Sequence, residues 1–294
     1  MRLDGLEQSS NVEDRRGRRG PALAAGGGGL LLVVLMIIMN VMGVDRGKQQ
    51  AVLGVAKALQ QQNAAQAPVE GGEGIHDASR EFIARILTST EKVWTTLFRE
   101  QVQGGGYTAP KLVIFDGTVA TRCGTGSAEM GPFYCPGDSQ VYIDPAFFEE
   151  LASRHNAAGD FAQAYVIAHE VAHHVQNLTG YSDRVDTVRA KGDELMTNQM
   201  SVRLELQADY LAGVWAHHAN KEFNILEKGD IEEGINAANR IGDDTLQREA
   251  QGYVVPERYT HGTSAQRAKW FQKGLTSGSF EDCEQIFSVG YERL

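Results

Sequence analysis

His169, Glu170 and His173 stand in the spacing HExxH within DFAQAYVIAHEVAHHVQNLTG. On an α-helix, residues four apart are neighbours on one face, offset by about 40° around the axis, so both imidazoles can reach one metal ion. Glu170, roughly 100° from His169, falls beside such an ion, where a base takes a proton from metal-bound water. The implied chemistry is hydrolysis. Zinc held by three protein ligands keeps a position for water and lowers its pKa to about 7. The bland alternative is a chance HExxH on a surface helix.

The third ligand is sought on a later helix. In RLELQADYLAG, Glu205 and Asp209 share one face, next to an apolar stripe of Leu204, Ala208, Leu211 and Trp215. Read alone, such an acidic pair is most often a solvated surface feature. After HExxH, Glu205 is expected to complete the shell of one Zn2+ ion. Asp209 is expected to accept the far N–H of a ligand histidine, fixing its tautomer and raising its basicity. His261, in THGTSAQRAKW before a further helix, is a candidate donor to the oxyanion of a tetrahedral intermediate, with Arg267 assisting; the alternative is a helix-capping loop. His174, His217 and His218 are read as packing locally or facing solvent, outside the shell. The run QVYID is read either as an edge strand that pairs with an extended peptide or as an ordinary half-buried strand.

These residues need two long helices and a wall. Asp160 is a good N-cap and Gly180 a good stop for the HExxH helix, with Phe161, Ala164, Ala168, Val171, Ala172 and Val175 as its apolar stripe. Ile75, Phe82, Ile83, Ile86, Val93, Trp94, Leu97 and Phe98 predict an opening amphipathic helix from His76 to about Arg99. KLVIF, VATRC and QVYID are short β-rich runs punctuated by Gly, Pro and Asp. From Pro145 onward the periodicity predicts helices at about 160–178, 194–219, 230–241, 264–274 and 280–287. A helix, then a small sheet, then several helices is an α+β arrangement, mostly helical.

The pattern HExxH followed by ExxxD resembles the gluzincin class of metallopeptidases, residue by residue at His169, Glu170, His173, Glu205 and Asp209. More closely, the chain from its basic lead-in through GPFYCPGDSQVYIDPAFF, AHEVAHHVQ and LELQADYLAGVW is similar to the bacterial neutral zinc metallopeptidases of the YpfJ type. That resemblance implies a zincin-like fold and a zinc metalloendopeptidase acting on a protein or peptide substrate. A histidine and an arginine also follow the third ligand in some membrane gluzincins, where proline succeeds the histidine; here Gly262 does. The alternative function is a non-catalytic zinc-containing envelope protein that binds partner proteins.

Ahead of the domain, Gly20 to Val44 carries no charge, and Leu30 to Met39 is an unbroken apolar run. A helix needs roughly 20 residues to cross a hydrocarbon core, so residues 20–44 are expected to form one transmembrane signal-anchor. Arg15, Arg16, Arg18 and Arg19 precede it, which puts residues 1–19 in the cytoplasm as a basic tail. The expected setting is the bacterial inner membrane, single-pass, with residues 45–72 as a flexible linker and the catalytic domain, residues 73–294, on the periplasmic side. A cleaved signal peptide is the competing reading. The net charge of -10 argues against a nucleic-acid partner, since phosphate binding needs a cationic surface. Cys123 and Cys135 flank a Gly-rich stretch that can bring the sulfurs together as a disulfide, or both stay reduced and buried; Cys283 has no evident partner and is read as buried. Oligomeric state is not legible.

Overall fold

A computed structural model describes residues 1–17, 77–102 and 106–294. Strand β1 (Val12–Asp14) is followed by helix α1 (Ala78–Gln101), then β2 (Lys111–Ile114), β3 (Thr118–Thr121), β4 (Gly124–Ser127), β5 (Phe133–Cys135) and β6 (Gln140–Ile143). Helices α2 (Ala146–Ser153), α3 (Asp160–Leu178), α4 (Ser182–Arg189), α5 (Glu194–Phe223), α6 (Asp230–Arg240), α7 (Asp243–Gln251), α8 (Ser264–Ser277) and α9 (Gln285–Ser288) complete the domain. The fold is α+β and mostly helical, with the sheet small.

Four strands form a sheet in the order β1–β2–β6–β5, with β1, β2 and β6 parallel and β5 antiparallel to β6. QVYID therefore supplies an interior strand, and the edge position falls to the three residues Phe133–Cys135. This corrects the edge-strand reading of QVYID. Val141 and Ile143 are buried in the main core, and Tyr142 is buried in a smaller cluster with Val113, Phe115, Val119 and Cys135. Among the described residues, strands β3 and β4 pair only with each other, as a hairpin.

The helices form where the sequence supplies caps and an apolar face. Asp77 caps α1 by accepting from the Arg80 N–H, and Ile83, Ile86, Leu87, Trp94, Leu97 and Phe98 line its buried side. Each such large side chain contributes on the order of 1.5–3 kcal/mol by leaving water. Helix α3 starts one residue earlier than expected: Gly159, at φ 136°, is its N-cap, and Asp160 is its first residue. The Asp160 carboxylate is instead 2.6 Å from the Met1 amino group. Asp193 caps α5, and Thr263 with Gln266 forms a reciprocal capping box on α8. Trp215 of α5 donates to the Ser89 hydroxyl of α1 at 3.0 Å, joining two buried faces.

Helices α5 and α8 cross with almost no space between backbones. A Cβ at Gly213 would overlap the Phe271 carbonyl oxygen, and one at Gly274 would overlap the carbonyl oxygen of Tyr210. Glycine at both positions lets the two helices approach closely enough for side chains beyond the crossing to interdigitate.

The expected transmembrane helix is not supported. Among the described residues no helix is long and apolar enough to cross a membrane, and residues 20–44 and the expected linker, 45–72, lie outside the described residues. The expected placement also fails on topology. Met1–Arg15 and Ile75–Leu294 form one compact unit, with Leu6 and Val12 in its core and β1 paired to β2. A tail that supplies a strand to the domain's sheet cannot lie across a membrane from that domain. The cytoplasmic tail with a periplasmic catalytic domain is therefore corrected.

Candidate metal centre

Helix α3 carries His169, Glu170 and His173, and the length of α5 brings Glu205 and Asp209 opposite them. The two oxygens of Glu205 divide between the imidazoles: Oε2 is 3.1 Å from His169 Nε2, and Oε1 is 3.5 Å from His173 Nε2. One oxygen of Glu170 and one nitrogen of each imidazole also lie within 4.8 Å of one another. Burial opposes charge on Glu205, His169 and His173, and their mutual pairing outweighs it. The Glu205 carboxyl is held well below its ordinary range, chiefly by His173 and His169. His173 is lifted from 6.5 to about 9, chiefly by Glu205, and His169 is raised by Asp209 and Glu205.

Behind His169 lies a second layer. Its Nδ1 donates to Asp209 Oδ1 at 2.8 Å, so Nε2 is the nitrogen turned to Glu205. Asp209 is fully buried, and three donors converge on it: His169, the Tyr165 hydroxyl at 2.5 Å, and Arg267, whose Nε and Nη2 bind the two oxygens at 2.9 and 3.0 Å. Burial alone would raise this carboxyl; Arg267 and His169 bring it down to about 2. The third guanidinium nitrogen, Nη1, donates to the Ile241 carbonyl at 3.1 Å. All three guanidinium nitrogens of Arg267 are thus hydrogen-bonded, two of them to Asp209.

A cavity of about 660 Å³ opens onto these groups, lined by Glu170, His169, His173 and Glu205 at its floor. The edge strand β5 and the loop before it, with Met130, Pro132, Phe133 and Tyr134, form one wall. His174, next to His173 in sequence, fastens that wall to α3. Its Nε2 donates to the Thr108 carbonyl at 2.7 Å, leaving Nδ1 to accept from the Tyr134 hydroxyl at 3.1 Å. Asn177, one turn further, donates to the same hydroxyl at 3.2 Å. Burial lowers the pKa of His174, in keeping with a neutral ring that both donates and accepts. Cys123 and Cys135 are joined by a disulfide, closing the loop that carries this wall, while Cys283 is free and buried.

His261 lines the cavity from the α7–α8 connection. Asp243, the first residue of α7, sets that connection: Oδ2 accepts from the backbone N–H groups of Thr260, His261 and Gly262 at 2.7, 2.7 and 3.1 Å. Its Oδ1 is 3.1 Å from His261 Nδ1, and this hydrogen bond raises the pKa of the half-exposed imidazole. His217 and His218 pack locally, against the carbonyls of Leu275 and Gly278.

The sequence reading missed Tyr165, Gln176, Tyr134 and Asp243. Tyr165 precedes His169 by one helical turn and Gln176 follows His173 by one, so both stand on the histidine face of α3, a periodicity available in the sequence. Tyr134 and Asp243 act across long separations that no local pattern marks.

The donor types, two imidazoles and a carboxylate, are those that hold zinc, and their spacing is close to what one ion needs. Bonds of about 2.0–2.2 Å to imidazole and carboxylate place neighbouring donors roughly 3.3–3.6 Å apart, and the observed separations from Glu205 to the two histidines are 3.1 and 3.5 Å. The class defined by an HExxH helix with a carboxylate from a second helix is that of zinc hydrolases. The family described as "Putative neutral zinc metallopeptidase" matches residues 1–286, and the chain belongs to that family. It is 43% identical over 289 residues to "Uncharacterized protein YpfJ" of Escherichia coli (strain K12), covering 96% of this chain and 98% of the relative. It is also 39% identical over 221 residues to "Uncharacterized protein Rv2575" of Mycobacterium tuberculosis (strain ATCC 25618 / H37Rv), covering 71% of this chain and 72% of that protein. No solved structure matches the chain.

Proposed function

We propose that the protein is a zinc-dependent metalloendopeptidase that hydrolyses peptide bonds in protein or peptide substrates. The observation that carries this reading is the division of Glu205 between His169 and His173, with Glu170 beside them at the floor of a cleft. His169, His173 and Glu205 would hold one zinc ion. When bound, the ion supplies an acidified water and polarises the scissile carbonyl. Glu170 takes the water's proton and delivers it to the leaving amine. Asp209 keeps the proton on His169 Nδ1, so that Nε2 offers its lone pair, and Arg267 and Tyr165 hold Asp209 in place. His261, set by Asp243, faces the cleft as donor to the developing oxyanion. The edge strand β5 offers an extended peptide main-chain pairing along the wall.

A structural zinc site in a partner-binding protein is the competing reading. It gives no role to Glu170 and no reason for an open cleft above the ligands. The test is hydrolysis of an unfolded protein by the zinc-loaded full chain, wild type against Glu170→Gln. The proposal expects a loss of about 10²–10⁴-fold with zinc content unchanged. Equal hydrolysis by both proteins overturns the mechanism, and no hydrolysis by wild type over a range of unfolded substrates overturns the peptidase reading.

A further inference from the structure

His169 is held from behind by a buried ion pair, whereas the hydrogen-bond partner of His173 Nδ1 is a neutral amide. That nitrogen faces the Gln176 side-chain oxygen at 2.8 Å. Gln176 is fully buried, so every polar atom of its amide needs a partner inside the protein. Its nitrogen has two hydrogens and two acceptors: the Leu204 carbonyl at 2.7 Å and Gln207 Oε1 at 3.0 Å, both on α5. Gln207, equally buried, is oriented in turn, because its nitrogen donates to Cys283 Sγ at 3.3 Å.

The direction of each bond follows from the one behind it. With Gln207 Nε2 turned to the sulfur, Gln207 Oε1 must face Gln176. The Gln176 nitrogen then satisfies that oxygen and the Leu204 carbonyl together. Rotating the Gln176 amide by half a turn would set its oxygen against two other oxygens in a fully buried site, leaving buried acceptors unpaired at about 1–3 kcal/mol each. The Gln176 oxygen is therefore fixed toward His173 and can only accept. Nδ1 of His173 must carry the hydrogen, which leaves Nε2 for the metal side.

We propose that Gln176 is a positioning residue for His173, aimed by the chain Gln176–Gln207–Cys283, so that the second zinc ligand is oriented by a neutral amide while the first is oriented by a carboxylate. Glu205 stands two residues from Gln207 and one from Leu204 on α5, so the helix that supplies the third ligand also aims the second. The free cysteine near the C-terminus is the far end of this chain and acts as an acceptor within it.

The test is zinc affinity of the full chain, measured by competition with a chromophoric chelator, for wild type, Gln176→Met and Gln176→Glu. Methionine matches the shape of glutamine and accepts nothing comparable from Nδ1. Glutamic acid retains an accepting oxygen and, in its neutral form, a donor for Gln207. The positioning role expects Gln176→Met to bind zinc about 10–100-fold more weakly and Gln176→Glu to remain close to wild type. A role in packing alone gives the reverse order and overturns the proposal. Thermal unfolding of the three metal-free proteins separates lost affinity from lost fold. Should Gln176→Met fail to fold, Gln207→Met provides the second arm: it removes one acceptor that aims Gln176, and unchanged zinc affinity in that variant overturns the proposal. A wild-type chain that takes up no zinc overturns the metal reading and this one together, whereas wild-type affinity in Gln176→Met overturns this one alone.

Discussion

Arg267 grips Asp209 with two nitrogens on two oxygens, at 2.9 and 3.0 Å, across 58 residues of chain. Both groups are buried, and neither touches solvent enough to be stabilised by it. Their mutual attraction offsets a desolvation cost of several kcal/mol per ion, and the Tyr165 and His169 bonds complete the set of donors on the carboxylate. Removing one partner leaves the other charged and unpaired. Arg267→Leu is expected to lower stability by about 3–5 kcal/mol and to weaken zinc binding, read by thermal unfolding and zinc titration. Unchanged values in both would remove Arg267 from the positioning layer.

The Gly213–Gly274 crossing is what allows that grip. Gly213→Ala or Gly274→Ala forces the helices apart against backbone oxygens, where no flexible side chain can yield. The expected cost is about 1–3 kcal/mol or more. A drop in zinc affinity should accompany it, because Arg267 rides on α8 and its target on α5. A stability loss with zinc affinity intact would mean that the crossing packs the core without setting the site.

Cys123 and Cys135 close a loop over a sequence separation of 12. The chain-entropy model assigns such a closure about 3 kcal/mol. Replacing both by serine should lower the unfolding midpoint accordingly and raise the rate of limited proteolysis within residues 124–134, with zinc stoichiometry unchanged. The comparison with mild reduction of the wild-type protein checks that the bond itself is responsible.

Burial raises the Cys283 thiol from 9.0 to about 11. The folded state therefore holds this proton more tightly than the unfolded chain does. The associated stability is fully present below pH 9 and is lost as the pH rises toward 11. The difference is worth about 2–3 kcal/mol. Native protein should resist thiol alkylation up to about pH 9 and react at the rate of its unfolding. Alkylation at the rate of a free thiol at neutral pH would contradict both the burial and the bond to Gln207.

Deleting residues 1–15 should destabilise the domain, since Leu6 and Val12 lie in the core and β1 pairs with β2. Each buried aliphatic side chain removed costs about 2–5 kcal/mol. Thermal unfolding of the truncated chain is the measurement, and a truncated domain as stable as the full chain would reduce β1 to an accessory.

How legible these features were depends on the distance over which each is specified. The HExxH helix was readable because its spacing and apolar stripe are local, and α5 because Glu205 and Asp209 stand beside the buried Ala208, Leu211 and Trp215. Helices α2, α4 and α7, of 8, 8 and 9 residues, were missed because two turns give a periodicity too little length to declare itself. Strand β1 is three residues, Val-Glu-Asp, with nothing in its composition to separate it from a polar tail; its pairing is decided by a partner about a hundred positions away. The same holds for Arg267, a charge in a polar stretch whose burial follows only once α8 lies on α5. The apolar run at 30–39 was weighed by hydropathy alone, and hydropathy is silent about the chain on either side being one folded unit.

That pairing also sets an order of events. Val12 is aligned with Leu112, so β1 leaves the ribosome 100 residues ahead of the strand it joins. Until β2 has been made, β1 lacks the strand it pairs with, and at about 5–20 residues per second the wait is several seconds or more. Closing so long a loop is entropically slow relative to the local formation of α1, which lies between the two strands. Strand β1 is thus made about a hundred residues before the strand it joins, and its sheet hydrogen bonds report that this long loop has closed.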